Sequence, residues 1–185
     1  MRAAIITWSQ TGNTEKVAHA IEEGLTSVGA DVELLRVDDA GDIDFYAYDL
    51  LCVGFPSYQW SPPRPVDDFL RRRFNAYRRE DRVKIGAPPV PGKHVLIFCT
   101  YSGPHTGIRE AIPAGKYAGQ FFEHLGIPVV DEWYVVGEFH GREEASTQGR
   151  LGDIRGRPNE EDLAEVRADA TALARRLHDE AQSDV

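Results

Sequence analysis

Trp8-Ser9-Gln10-Thr11-Gly12-Asn13-Thr14 separates an apolar stretch, Ala3-Ala4-Ile5-Ile6, from a segment with helical spacing. A strand that turns into a helix through hydroxyl residues and a glycine forms a phosphate cradle. The first amides of the helix lack intrahelical acceptors, and the helix dipole favours an anion in front of them. Ser9, Thr11 and Thr14 add hydroxyl donors, Gln10 and Asn13 bring amides, and Gly12 lets the backbone approach a ligand closely. The loop holds no lysine or arginine, so it is neither the Gly-Lys-Ser/Thr loop of a triphosphate site nor a Gly-x-Gly-x-x-Gly dinucleotide turn. Neutral donors of this kind suit a compact monophosphate carried on a larger ligand.

The chain around this loop is 185 residues long, 42% hydrophobic, and carries 21 basic against 30 acidic residues, a formal charge of −9. That length suits one domain over 1–185, and that charge disfavours nonspecific binding to nucleic acid. No apolar run approaches the length of a membrane span, and no signal-peptide pattern opens the chain, so a cytoplasmic protein is expected. Cys52 and Cys99 fall in apolar segments without a Cys-x-x-Cys pair and read as buried thiols of a reducing compartment.

Beyond residues 2–8, strand and helix signals alternate. A helix is expected from Asn13 to about Val28, with Val17, Ile21, Leu25 and Val28 on one face and Gly29 as its stop. Asp31–Val37 alternates like a strand near a sheet edge, and Leu50-Leu51-Cys52-Val53-Gly54-Phe55 is continuously apolar, as a central parallel strand would be. The loop Pro56-Ser57-Tyr58-Gln59-Trp60-Ser61-Pro62-Pro63 leads to a helix with Val66, Phe69, Leu70 and Phe74 inward. His94–Cys99 is the next strand, followed by the loop Thr100-Tyr101-Ser102-Gly103-Pro104-His105-Thr106-Gly107 and a helix to about Leu125. Ile127–Val136 is the last strand, and Asn159 caps a final helix carrying Leu163, Val166, Ala170, Leu173 and Leu177. This order predicts an α/β fold, a doubly wound parallel sheet of five strands with helices on both faces. Residues 75–92 and 137–158 are long connectors, of the kind that bind something or move.

Ser9-Gln10-Thr11-Gly12-Asn13-Thr14, followed by Ala18 and Ile21, resembles the phosphate-binding signature of the flavodoxins, with Thr7 standing where that family usually has an aromatic residue. The resemblance extends through the element order over nearly the whole chain and implies sheet order 2-1-3-4-5. It also implies FMN, whose single phosphate fits the neutral cradle. In that fold the ligand lies outside the carboxyl ends of the strands where the winding reverses. By the same resemblance the flavin ring is held between the loops after strands three and four, here Pro56, Ser57, Tyr58 and Trp60 on one side and Thr100, Tyr101, Ser102, Gly103 and His105 on the other. Trp60 and Tyr101 are the expected stackers; the alternative for these aromatics is hydrophobic capping of the loop ends. For Trp8, packing against the strand end stands beside ligand contact.

Other features carry less. His19, His124 and His178 lack metal-like spacing, and no Gly-x-Ser-x-Gly turn accompanies Ser57 or Ser102, which argues against a hydrolase. Segment 64–84 holds eight basic against four acidic side chains and reads as a solvated helix face, with partner docking as its alternative. Gly54-Phe55-Pro56-Ser57-Tyr58 looks like a pattern of flavodoxin-like reductases and of flavodoxin domains fused to iron–sulfur modules, but no cysteine cluster follows. Neither ring loop contains Asp or Glu, and His105 lies in one of them, so a flavin potential above that of acid-lined flavodoxins is expected. Three functions follow in order of preference. The first is an FMN electron-transfer protein serving a redox partner protein. The second is an FMN-dependent NAD(P)H reductase of a quinone or small organic substrate. The third is a non-redox module binding another phosphate ligand.

Overall fold

The computed structural model describes residues 1–183. Five parallel strands form one sheet in the order β2-β1-β3-β4-β5, with β1 Arg2–Thr7, β2 Asp31–Arg36, β3 Leu50–Pro56, β4 His94–Tyr101 and β5 Val129–Val136. The expected architecture and strand order are both present. β1 therefore lies between β2 and β3, and the winding reverses there. Trp8 lies past the end of β1, but its amide still donates to Gly54 O at 3.0 Å, extending the ladder to the mouth of the cradle.

Helices cover both faces. On one, α1 (Asn13–Thr26) and α5 (Glu160–Ser183) cover Ala3, Ile5, Leu50, Cys52, Leu96 and Phe98. The two helices come close because α1 has Gly24 at the crossing; a Cβ there would lie 2.5 Å from Arg167 O. On the other face, α2 (Arg64–Arg79) and α3 (Ile112–Glu123) bury an aromatic cluster in which Phe45 meets Phe69, Tyr77 and Phe122 at centroid distances of 5.1–6.0 Å. Each such ring removes enough apolar area from water to stabilise the fold by about 1.5–3 kcal/mol.

Helix ends follow their local chemistry. Gly29 adopts φ +81° just after α1, which ends two residues earlier than its apolar spacing suggests. At the start of α5, Asn159 Oδ1 accepts from Asp162 N while Asp162 Oδ2 accepts from Asn159 N, a reciprocal cap. α2 runs to Arg79, well into the expected 75–92 connector, because Tyr77 supplies one more inward position: it is fully buried and donates to Asp44 Oδ1 at 3.0 Å. The second long connector is also ordered differently from expectation. Residues 137–158 include a short helix, α4 (Glu143–Thr147).

The basic segment 64–84 is partly consumed within the fold. Arg73 is buried, lies 3.3 Å from Asp42 and sits over the Tyr77 ring, while Arg82 stacks on Tyr46 at 3.7 Å. Arg64 and Arg71 pair with Asp68 and Asp67 one turn away. Arg72 lies over the Phe69 ring and Lys84 pairs with Asp81, so six of the eight cations are occupied, and Arg78 and Arg79 remain on the exposed face.

Candidate functional site

The cradle forms at the carboxyl end of β1. Gly12 turns the chain with φ +92°, and a Cβ there would meet nothing within 4 Å, so glycine serves the backbone conformation and not a lack of space. Ser9 Oγ accepts from Gly12 N at 3.0 Å, closing the loop, and Gly12 gives α1 no side-chain cap. The leading amides of α1 thus face the cavity without a capping oxygen. Thr14, fully buried, places its hydroxyl 2.8 Å from that of Thr100 and couples the cradle to the end of β4. Asn13 lines the cavity and also donates one amide proton to Glu138 O at 3.0 Å, so it ties the cradle to the segment after β5.

The loop after β3 is a tight hairpin. Tyr58 and Ser61 exchange backbone hydrogen bonds at 3.0 and 3.1 Å, and the residues between them, Gln59 and Trp60, have φ of +49° and +65°. Side chains rarely occupy that region twice in succession, and such strain gathers at ligand sites. Its product is Trp60, held 61% exposed over the cavity. Tyr58 leans back on the cradle, donating to Gln10 Oε1 at 3.0 Å and meeting Trp8 edge-to-face at 6.0 Å. Burial pushes the phenols of Tyr58 and Tyr101 upward, Arg157 opposing this at Tyr101, so both rings remain neutral at physiological pH.

The loop after β4 turns at Gly103, φ +50°, where a Cβ would lie 2.6 Å from Gly107 O. Ser102 Oγ donates to Gly137 O at 2.7 Å. The loop recruits an acid that its own sequence lacks: Glu110 Oε1 accepts from His105 N at 2.8 Å and Thr106 N at 2.6 Å.

These loops surround a cavity of about 810 Å³ at the carboxyl ends of the strands, within the range of cofactor sites of about 300–1,000 Å³. Ser9, Gln10, Thr11, Asn13, Thr14, Pro56, Ser57, Tyr58, Trp60, Thr100, Tyr101, Ser102, Gly103 and His105 all line it; Gly12 lies behind the wall it shapes. The lining suits a phosphate-bearing aromatic cofactor: uncapped helix amides and hydroxyls at one side, and aromatic faces from two loops at the other. Gln59, Pro104, Gly137 and Glu138 line it too, as do Glu110, Phe139, His140, Arg142 and Ala145, which the sequence does not single out. Glu110 and Glu138 bring acidic residues to a lining whose two ring loops contain none. Among the described residues no His/Cys/Asp/Glu group could hold a metal ion, and no helix is long and apolar enough to cross a membrane. Burial raises the thiol pKa of Cys52 and Cys99, which keeps both protonated within the sheet.

Comparison with known proteins agrees with this geometry. The chain is 42% identical over 53 residues to a flavodoxin of Megasphaera elsdenii, covering 29% of this chain and 39% of that protein. It is 32% identical over 98 residues to a flavodoxin of Clostridium beijerinckii, covering 52% of this chain and 62% of that one. The matched stretches thus span less than two thirds of either relative. Over the fold, the oxidised Flavodoxin 1 of Bacillus cereus superposes with a TM-score of 0.66 at 15% identity, covering 95% of this chain and 98% of that structure. Residues 5–165 match the family described as Flavodoxin, and with that span of sequence carrying the cradle, the end of β1, strands β2–β5 and the ring loops, the chain belongs to the flavodoxin family.

Proposed function

We propose that the chain is an electron-transfer protein that holds FMN between the cradle 9–14 and the loops 56–60 and 100–105 and passes electrons to or from a redox partner protein. FMN is the cofactor of the flavodoxin family, and when bound it supplies reversible one- and two-electron redox chemistry. The observation that carries the reading is the uncapped, lysine-free start of α1 opening into the same cavity as the strained hairpin that presents Trp60. Neutral amides and hydroxyls there orient a monophosphate, while Trp60 and Tyr101 supply aromatic faces and exclude water from the ring. Thr14 and Thr100, joined by a buried hydrogen bond, hold the phosphate end and the ring end in one register. The two buried free thiols fit a cytoplasmic location.

A visible absorption spectrum of the purified protein tests the cofactor, and the expected result is a yellow protein releasing FMN on denaturation. A colourless protein that does not take up added FMN refutes the reading. Anaerobic NADPH then separates carrier from reductase. A carrier keeps its flavin band until a redox partner is added, whereas a direct NAD(P)H reductase bleaches at once.

A further inference from the structure

The loops after β3 and β4 are tied together twice. The inner tie continues the sheet: Ser57 N donates to Thr100 O at 2.9 Å. The outer tie runs through Glu110, which ends the 3-10 turn Gly107–Glu110 and lies 53 residues beyond Ser57 in the chain. Ser57 Oγ, at the entry to the Trp60 hairpin, donates to the main-chain oxygen of Glu110. The Glu110 side chain reaches the other loop, where Oε1 accepts from His105 N at 2.8 Å, Thr106 N at 2.6 Å and the Thr106 hydroxyl at 3.4 Å. One residue thus holds a limb of each loop, and Ser57, His105 and Glu110 all line the cavity.

This tie depends on where one oxygen lies. All three donors converge on Oε1, whereas Oε2 accepts no hydrogen bond among the described residues. A glutamine offers a carbonyl oxygen at the same reach and puts its amide nitrogen where no donor opposes it. An aspartate keeps the charge but is one methylene short of both backbone amides. A planar ring held between Trp60 and Tyr101 depends on the separation of the loops that carry them. A tie that sets this separation in advance contributes to affinity by preorganising the slot.

We propose that Glu110 is a positioning residue for the flavin ring: the reach of its acceptor oxygen, and not its charge, sets the two ring loops at the separation the ring needs. The proposal rests on the FMN reading. The test titrates FMN into the flavin-free full chain for wild type, Glu110→Gln, Glu110→Asp and Glu110→Ala, and records the visible circular dichroism of the flavin at saturation. Glu110→Gln is expected to bind FMN within about threefold of wild type and to keep the wild-type flavin dichroism. Glu110→Asp and Glu110→Ala are expected to weaken FMN by about tenfold or more and to alter the dichroism, which lost fold stability alone would not do in the saturated protein. The first two variants decide the matter even where Glu110→Ala does not fold. Glu110→Asp equal to wild type, Glu110→Gln weakened as far as Glu110→Asp, or an unaltered dichroism in Glu110→Asp overturns the assignment. Wild-type protein that takes up no FMN instead overturns the FMN reading itself.

Discussion

The hydroxyl pair Thr14–Thr100 offers a sharp test of how the cradle is held. Their Oγ1 atoms are 2.8 Å apart, Thr14 is fully buried and Thr100 nearly so, and 86 residues of chain separate them. Thr14→Val keeps the branched shape but leaves the Thr100 hydroxyl without its partner in a site shut off from water. Stranding one buried hydroxyl costs about 1–3 kcal/mol, against which the added methyl returns up to about 0.8 kcal/mol. The net loss expected for either single Val substitution in the apoprotein is therefore about 0.2–2.2 kcal/mol, or up to roughly 9 °C in Tm for a chain of this size. Replacing both removes donor and acceptor together, so the double variant should lose less than the two singles combined, by about 1 kcal/mol or more. Urea unfolding of the four apoproteins measures this directly. Additive losses would show that the hydroxyls act independently and that the cradle is not fastened to β4 through them. Repeating the cycle with FMN separates stability from binding, because Thr14→Val also removes a hydroxyl from the proposed phosphate site.

Three further outcomes follow from other contacts. Gly24→Ala should destabilise the protein by about 1–3 kcal/mol although alanine is the better helix former, since its Cβ would press on Arg167 O of α5; a raised Tm would show that α1 and α5 are not in such close contact. His94 is half-buried, its Nδ1 has no partner, and burial lowers its pKa below the ordinary 6.5. The unfolded chain then takes the proton first, so this contribution is complete above pH 6.5 and is lost as pH falls toward the folded value; His94→Phe should flatten the fall in denaturation midpoint between pH 7.5 and 5.5, and parallel profiles would contradict it. Trp60→Ala and Tyr101→Ala should each weaken FMN binding, by about 0.5–1.5 kcal/mol beyond the area lost, and relieve quenching of flavin fluorescence; titrations matching wild type in both variants would remove these rings from the site.

Which parts of the site could be read from the sequence depends on how far each piece lies from its partners along the chain. The cradle is local: Ser9 closes on Gly12 three residues away, and the helix that follows declares itself by its own apolar spacing. The ring loops are nearly as local, because each directly follows an apolar strand whose position in a parallel sheet fixes where its end emerges. Only the positive φ values of Gln59 and Trp60 are hidden there, since neither residue type signals such a turn. Glu110 was missed for a different reason: Gly103 and Gly107 bend the loop after β4 so that a carboxylate beyond it returns to two of its amides. The segment 137–158 is legible only as a long connector of the kind that binds something or moves; its contacts are not. Its Gly- and Arg-rich composition reads as a connector, and nothing in it encodes that Glu138 meets Asn13 across 125 residues. The charges supplied by such remote segments set the electrostatics of the cavity. A motif of neutral donors therefore identifies what kind of group enters the site, while the tertiary path of the chain decides which remote residues close the wall around it, here Glu110 and the stretch from Gly137 to Ala145.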